Sequence, residues 1–215
     1  MPINKKYFTT MGKKHVFILS VFLIMNINIL HSQEYVPFPD SNAIWSEVFT
    51  NQQPFEIITY QYGIWGDTII NSELYKKVYE LTDTTFPVSV GQFCGGLRED
   101  SLKRIYVINC MCSFPGAGDD EVLLYDFSKC VGDTVFVGMD GIGPMGYYII
   151  VHIDSIQINN NYRKTFHFPF EDYWIEGIGS TRGLFSPIVA QPTGHQDWDL
   201  ICFNQEEQVL YLNPD

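Results

Sequence analysis

The residues best equipped for chemistry lie in the C-terminal third of the chain. "WIEGIGSTRGLF" (174–185) carries Trp174, Glu176 and Arg182 among Gly177, Gly179 and Gly183, and "HQDWDL" (195–200) carries His195, Asp197, Trp198 and Asp199. Side chains alternate faces along a strand, so His195, Asp197 and Asp199 would share one side. Two carboxylates and an imidazole there could hold a cation or move a proton. Trp174 and Trp198 offer flat faces on which a sugar ring could stack. In a regular strand Glu176 shares a face with Trp174 and Ile178. A carboxylate pointing inward beside a tryptophan is costly unless it is paired, and Arg182, Arg163 and Arg98 are the cations available. A structural Glu–Arg bond is the expected role, because ion-pair networks often lie outside active sites. The candidate binding residues are therefore Glu176, Trp174, Arg182, His195, Asp197 and Trp198, with no catalytic residue assigned.

No complete catalytic motif surrounds them. "GIGSTRG" places Ser180 after Gly179, but Arg182 stands where the nucleophile elbow requires glycine. H-E-x-x-H, P-loop and dinucleotide-binding patterns are absent. "GAGDDE" (116–121) and "GMDGIG" (138–143) carry oxygen ligands of the kind calcium uses, without EF-hand spacing, and read as solvated turns. His152 sits in an apolar run and reads as a core or face histidine. Cys110-Met111-Cys112 lacks the second pair that a zinc site needs. Neither a metal nor a cofactor is expected.

The elements that must position these residues read as strands. "FEIITYQY" (55–62) runs into "IWGDTIINSELYKKVYEL", where Asn71-Ser72 can turn the chain before a strand over 74–81. "GGLREDSLKRIYVIN" (95–109) is a hairpin around 99–102, and a symmetric turn would set Arg98 opposite Lys103. "YYIIVHIDSIQIN" (147–159) reads as the longest strand, with a phase flip at Asp154-Ser155 that signals a bulge. Asn159 to Asn161 tolerates positive φ and turns the chain into "YRKTFHF", and a last hairpin turns at 205–207. "GMDGIGPMG" (138–146) reads as a loop. "DSNAIWSEVF" (40–49) is the one short N-terminal helix expected, capped by Asp40 or Ser41. About ten to twelve short strands with no βα alternation predict an all-β, antiparallel closed or half-open β-barrel, with a two-sheet β-sandwich as the alternative.

Lys13 and Lys14 precede "VFILSVFLIMNINIL" (16–30), the basic and apolar parts of an export signal. Residues 1–32 are expected to be a signal peptide, with Met11 as a second possible start, and 33–215 a single β domain. Asn26 and Asn28 and the short run argue against a membrane span. The whole chain has 13 basic and 25 acidic residues. Removal of the leader takes Lys5, Lys6, Lys13 and Lys14, leaving nine basic residues and a net charge of −16. That surface repels nucleic acid and anionic membranes, so a protein or glycan partner is expected. An exported chain permits disulfides, and its five cysteines (Cys94, Cys110, Cys112, Cys130 and Cys202) leave at least one thiol unpaired within the chain. Cys94 meets Cys110 or Cys112 only with a shift or bulge, which Gly95-Gly96 could supply.

"YQYGIWGDTIINSELYKKVYE", "GGLREDSLKRIYVI", "EVLLYDFSKCVGDTV", "HIDSIQINNNYRKTF", "WIEGIGSTRGLF" and "LICFNQEEQVLYLNP" occur in that order. Together they resemble a family of secreted proteins from Bacteroidota. Members often carry a C-terminal type IX secretion sorting domain after the segment matching "LYLNP", and no such segment follows here. The resemblance implies a compartment (periplasm, cell surface or outside the cell) and a domain type, and it brings no activity with it. The expected function is a non-enzymatic binding or surface-associated module. A carbohydrate-active or other hydrolase and a carrier of small apolar ligands are the alternatives.

Overall fold

Period-two alternation builds antiparallel strands along the whole described chain. The computed structural model describes residues 33–81, 91–108, 120–139, 142–169, 172–188 and 196–214, and Tyr35–Asp215 forms one compact unit. β1 (Ala43–Gln52), β2 (Phe55–Ile70), β3 (Glu73–Glu80), β4 (Gln92–Glu99), β5 (Arg104–Ile108) and β6 (Val122–Asp126) pair in succession. β7 (Thr134–Met139) and β8 (Ile142–Ile149) form a separate hairpin. β9 (His152–Ile158), β10 (Asn161–His167), β11 (Tyr173–Ile175) and β12 (Gly179–Ser180) make a four-stranded sheet ordered β12-β11-β10-β9. The last hairpin, β13 (Gln196–Gln205) and β14 (Gln208–Leu212), returns to the free side of β1. The large sheet therefore has eight strands, ordered β14-β13-β1-β2-β3-β4-β5-β6, and curls into a half-barrel. Register shifts at Ser46/Glu47, Ile64/Asp67 and Val78/Tyr79 supply the local twist that such curling needs.

The half-barrel is filled. Trp45, Tyr62, Ile64, Val78, Leu97, Ile105, Tyr125 and Phe203 from the large sheet share one buried cluster with Phe166, Trp174, Ile178 and Phe185. Ring pairs interlock across it: Trp45 with Phe203 at 4.9 Å, Tyr62 with Phe185 at 5.0 Å and Tyr125 with Trp174 at 5.2 Å. β14 pairs only with Cys202–Gln205 of β13. Nearer the start of β13, Leu200 N–H donates instead to Thr181 O at 2.8 Å, which ties the segment after β12 to that strand.

Three local expectations hold. Asn71 and Ser72 (φ 53° and 71°) turn β2 into β3, Asn159 (φ 53°) turns β9 into β10, and Glu206 and Glu207 (φ 50° and 63°) turn β13 into β14. Four are corrected. Residues 40–49 form a bend and then β1, not a short helix: Ala43, Trp45 and Glu47 turn inward at two-residue spacing, and β1 is paired on both sides. Two flanking strands satisfy its backbone and override the local capping signal at Asp40–Ser41. The run over 147–159 breaks at Ile150–Val151 and not at Asp154–Ser155. There the chain leaves β8 for the other sheet, with Ile150 N–H bonded to Asp133 O and Val151 N–H to His167 O. In the β4–β5 hairpin Arg98 faces Tyr106 rather than Lys103, because Asp100 organises a longer turn by accepting the N–H groups of Leu102 and Arg104. The glycine-rich run after 138 contributes Ile142–Gly146 to β8, since Val137 pairs with Gly146 and Met139 with Ile142.

Candidate functional site

Residues 172–188 close the half-barrel, and their glycines answer to what lies against them. Gly177 has φ 72°, and a Cβ there would meet Arg163 Nη1 at 2.7 Å and Pro37 O at 2.9 Å. Gly183 has φ 123°, and a Cβ there would overlap the Glu47 carboxylate. Both positions combine left-handed backbone with a lack of space, which only glycine tolerates. Trp174 is buried and donates its indole N–H to Pro187 O at 2.6 Å, while Trp45 donates to Ile178 O at 2.8 Å. Trp174 is thus a core anchor whose face is not open to a sugar.

Glu176 is 1% exposed. Its neighbour Arg163 is also buried, but donates Nη1–H to the Glu176 main-chain carbonyl at 3.2 Å rather than to the carboxylate. The carboxylate takes a long bond from Lys164 N–H at 3.5 Å. Burial raises its pKa, opposed by the N–H groups of Lys164 and Val36 and by the charges of Lys164 and Lys103. Arg182 turns elsewhere: Nε–H donates to Asp172 Oδ1, and Nη1–H to Asp197 Oδ1 at 3.0 Å and to Asp199 Oδ1 at 2.9 Å. The Asp172 side chain is 1% exposed, against 45% for Asp197 and 37% for Asp199. One guanidinium thus pins the entry to β11, the segment after β12 and the start of β13 together. Arg98 pairs with Glu121 and lies over the Tyr106 ring at 4.4 Å. Trp198 is half-buried, 4.9 Å from Phe49 and 5.3 Å from Tyr60. His195 lies outside the described residues. Of the candidates among the described residues, Arg182, Asp197 and Trp198 are joined: Arg182 bonds the Asp197 carboxylate and, at 3.5 Å, the Trp198 carbonyl, and Trp198 N–H donates to Asp197 Oδ1 at 3.0 Å.

The most perturbed carboxyl is one that sequence reasoning passed over. Glu47 on β1 is 2% exposed, and burial pushes its pKa up to about 8 against the opposing Leu184 N–H, which donates to Oε1. Tyr125 lies beside it, donating its hydroxyl to the carbonyls of Gly183 and Leu184 and accepting Ser180 N–H at 3.3 Å. An inward position two residues from Trp45 was the available signal, hidden by reading 40–49 as a helix. Glu47 and Tyr125 are sealed from solvent. A neutral carboxyl there binds the closing segment and offers a substrate no access.

Cys94 is disulfide-bonded, whereas Cys130 and Cys202 are free thiols. Its partner is then Cys110 or Cys112, both outside the described residues. Among the described residues no three metal-capable side chains converge, and no helix is long and apolar enough to cross a membrane.

An open concavity lies beside the N-terminal segment. The extended strap 36–40 crosses the half-barrel and leaves a half-open groove of about 540 Å³ against Leu74, Lys76, Leu97, Glu99 and Ile105. Phe38 anchors the strap, stacking on Trp45 at 5.7 Å and donating its N–H to Glu99 Oε2 at 2.8 Å. The groove is apolar along Leu74, Leu97, Ile105 and the strap prolines, with Lys76, Arg98, Asp40 and Glu99 at its polar positions. These features define an antiparallel β half-barrel closed by its own chain, with a groove beside a strap. No protein-family model, curated protein or solved structure matches the chain.

Proposed function

We propose that this chain is an exported, non-enzymatic binding domain whose ligand surface is the groove between the strap 36–40 and β3–β5. The groove carries the reading: about 540 Å³ falls within the usual range for small-ligand sites, apolar walls with a few charged groups are typical of them, and it stays open while the interior is filled. Its ligand is an apolar group flanked by polar atoms, such as a short protein segment or the end of a glycan. Export is supported by the basic and apolar leader and by the resemblance to secreted Bacteroidota proteins.

Two observations weigh against the alternatives. Glu47 and Glu176 are buried and Asp197 is engaged by Arg182, so none of the three stands as a free acid beside the groove. Aromatic rings occupy the volume that an enclosed apolar carrier would leave empty. A library of short peptides and oligosaccharides screened against 15N-labelled protein tests the reading. Bound members are expected to shift the amides of Leu74, Lys76 and Leu97, and Leu74→Glu, at a half-exposed groove position, is expected to abolish those shifts. Shifts mapping only elsewhere, or turnover of any library member, would sink it.

A further inference from the structure

On the four-stranded sheet, away from the groove, two imidazoles face each other. His152 of β9 and His167 of β10 are cross-strand partners, with ring centroids 5.5 Å apart at 47°. The backbone fixes this end of the ladder, since Val151 N–H donates to His167 O at 2.9 Å. Tyr173, the partner of His167 on β11, stacks on the other face of that imidazole at 5.1 Å and 22°. His167 is therefore held in a row of three rings, with His152 at the open end, its side chain 63% exposed.

The spacing suits one metal ion. An imidazole nitrogen sits about 2 Å from a bound Zn²⁺, which puts the ring centre about 3 Å away, and two rings at a tetrahedral angle then have centres about 5 Å apart. The Nε2 edge of each ring already faces a polar neighbour, by a hydrogen bond in His167 and by a looser ionic approach in His152. His167 Nε2 shares a hydrogen bond with Thr165 Oγ1 at 3.0 Å, and His152 Nε2 lies 3.8 Å from Asp154 Oδ2. Metal-binding histidines are commonly held this way, one nitrogen on a hydroxyl or carboxylate and the other on the ion. Nδ1 of each ring has no hydrogen-bond partner among the described residues and is the nitrogen left for an ion.

We propose that His152 and His167 form a two-imidazole clip for a borderline divalent transition metal of the Zn²⁺ or Cu²⁺ class. It is a pair of ligands rather than a preformed three-ligand cage, consistent with the absence of such a cage among the described residues. Water fills the open positions, and the 70% exposed Asp154 carboxylate swings in as a third ligand or stays as the acceptor that orients His152. Imidazole selects this class over Mg²⁺ and Ca²⁺, which the acidic surface attracts without discrimination. The site is independent of the groove and of its ligand.

The test is calorimetric titration of the full chain, carrying no added polyhistidine, with ZnCl₂ in the presence of excess MgCl₂. Imidazole ¹H–¹⁵N spectra follow the same titration. One Zn²⁺ per chain is expected, with shifts at His152 and His167. His152→Gln, on an exposed side chain that leaves the fold intact, is expected to weaken binding more than tenfold. Asp154→Asn is expected to weaken it about tenfold, as orienting partners of metal histidines do. Zn²⁺ binding that survives His152→Gln at wild-type strength, that Mg²⁺ abolishes, or that never occurs would overturn the site.

Discussion

Glu47→Gln isolates the least typical group in the core. The carboxyl is sealed between β1 and the 183–184 backbone, with a folded pKa of about 8 against 4.5 for the free side chain. Above pH 4.5 the unfolded chain releases this proton while the folded chain keeps it. Folding stability is therefore fullest below pH 4.5 and falls as pH rises, until the folded group also ionises near pH 8. Each pH unit in that window costs about 1.4 kcal/mol, so Glu47 lowers stability by about 3 kcal/mol at pH 7 and about 4 kcal/mol at pH 8, where the folded group is half ionised. Glutamine keeps an oxygen for Leu184 N–H and removes the titration. Its amide brings a second donor hydrogen into the core, at a roughly pH-independent cost of about 1–3 kcal/mol. Urea unfolding at half-unit steps from pH 5 to 8, with the disulfide intact, separates the two effects. The wild type is expected to lose stability steeply, and the variant to be flatter by about 1 kcal/mol per pH unit. Burial raises the Glu80 and Glu176 carboxyls and lowers the His167 imidazole, and these contributions are common to both proteins and cancel in the difference. Parallel pH profiles would refute the assignment of Glu47 as the buried neutral acid.

Arg182→Met leaves the buried Asp172 carboxylate without its guanidinium and removes the side-chain ties to Asp197 and Asp199, while the Leu200 N–H to Thr181 O bond remains. The expected loss is about 3 kcal/mol, mostly from Asp172, because the more exposed Asp197 and Asp199 pairs contribute little; an unchanged urea midpoint would contradict it. Alkylation without reduction is expected to label Cys130 and Cys202, with Cys94 recovered by peptide mapping as a disulfide to Cys110 or Cys112. The closed loop has about 15 residues, so Cys94→Ala is expected to cost about 3 kcal/mol; a Cys94 thiol that alkylates freely would reject the pairing.

Features decided over a few residues were legible in the sequence. Asn71-Ser72, the asparagine run from 159 and the polar 205–207 segment each turn the chain where a turn was expected, because a turn is settled largely by the residues inside it. The all-β class was legible for the same reason, as a sum of local alternations. What failed depended on distant partners. Residues 40–49 have fair helical signals and become β1 because β2 and β13 flank them, the latter about 150 residues away. The local mark of Glu47, its two-residue spacing from Trp45, has meaning only once 43–52 is known to be a strand, and that follows from pairings such as those with Tyr60 and Leu200 that no window around it contains. Arg182 was read as a partner for Glu176, but its partners are three aspartates. That choice is set by how the chain turns after Gly179 and where β13 returns.

The glycine-rich stretch also shows why the most chemical-looking residues are poor candidates for chemistry. Gly177 makes room for Arg163, Gly179 for the Tyr125 hydroxyl, which a Cβ there would approach to 3.0 Å, and Gly183 for Glu47. Each glycine admits a polar side chain from another strand, and each of those side chains hydrogen-bonds main-chain groups of the same stretch. An irregular segment inside a barrel exposes backbone groups that no ladder satisfies. A buried arginine, tyrosine and glutamate are the means of satisfying them, and Trp45 and Trp174 do the same through Ile178 O and Pro187 O. The polar groups of the interior are thus committed to holding the closing segment in place. The two proposed contact sites, the groove beside the strap and the histidine row at the end of the second sheet, lie outside that commitment. Substitutions at Leu74 or His152 should then change binding without changing stability, and substitutions at Glu47 or Arg182 should do the reverse.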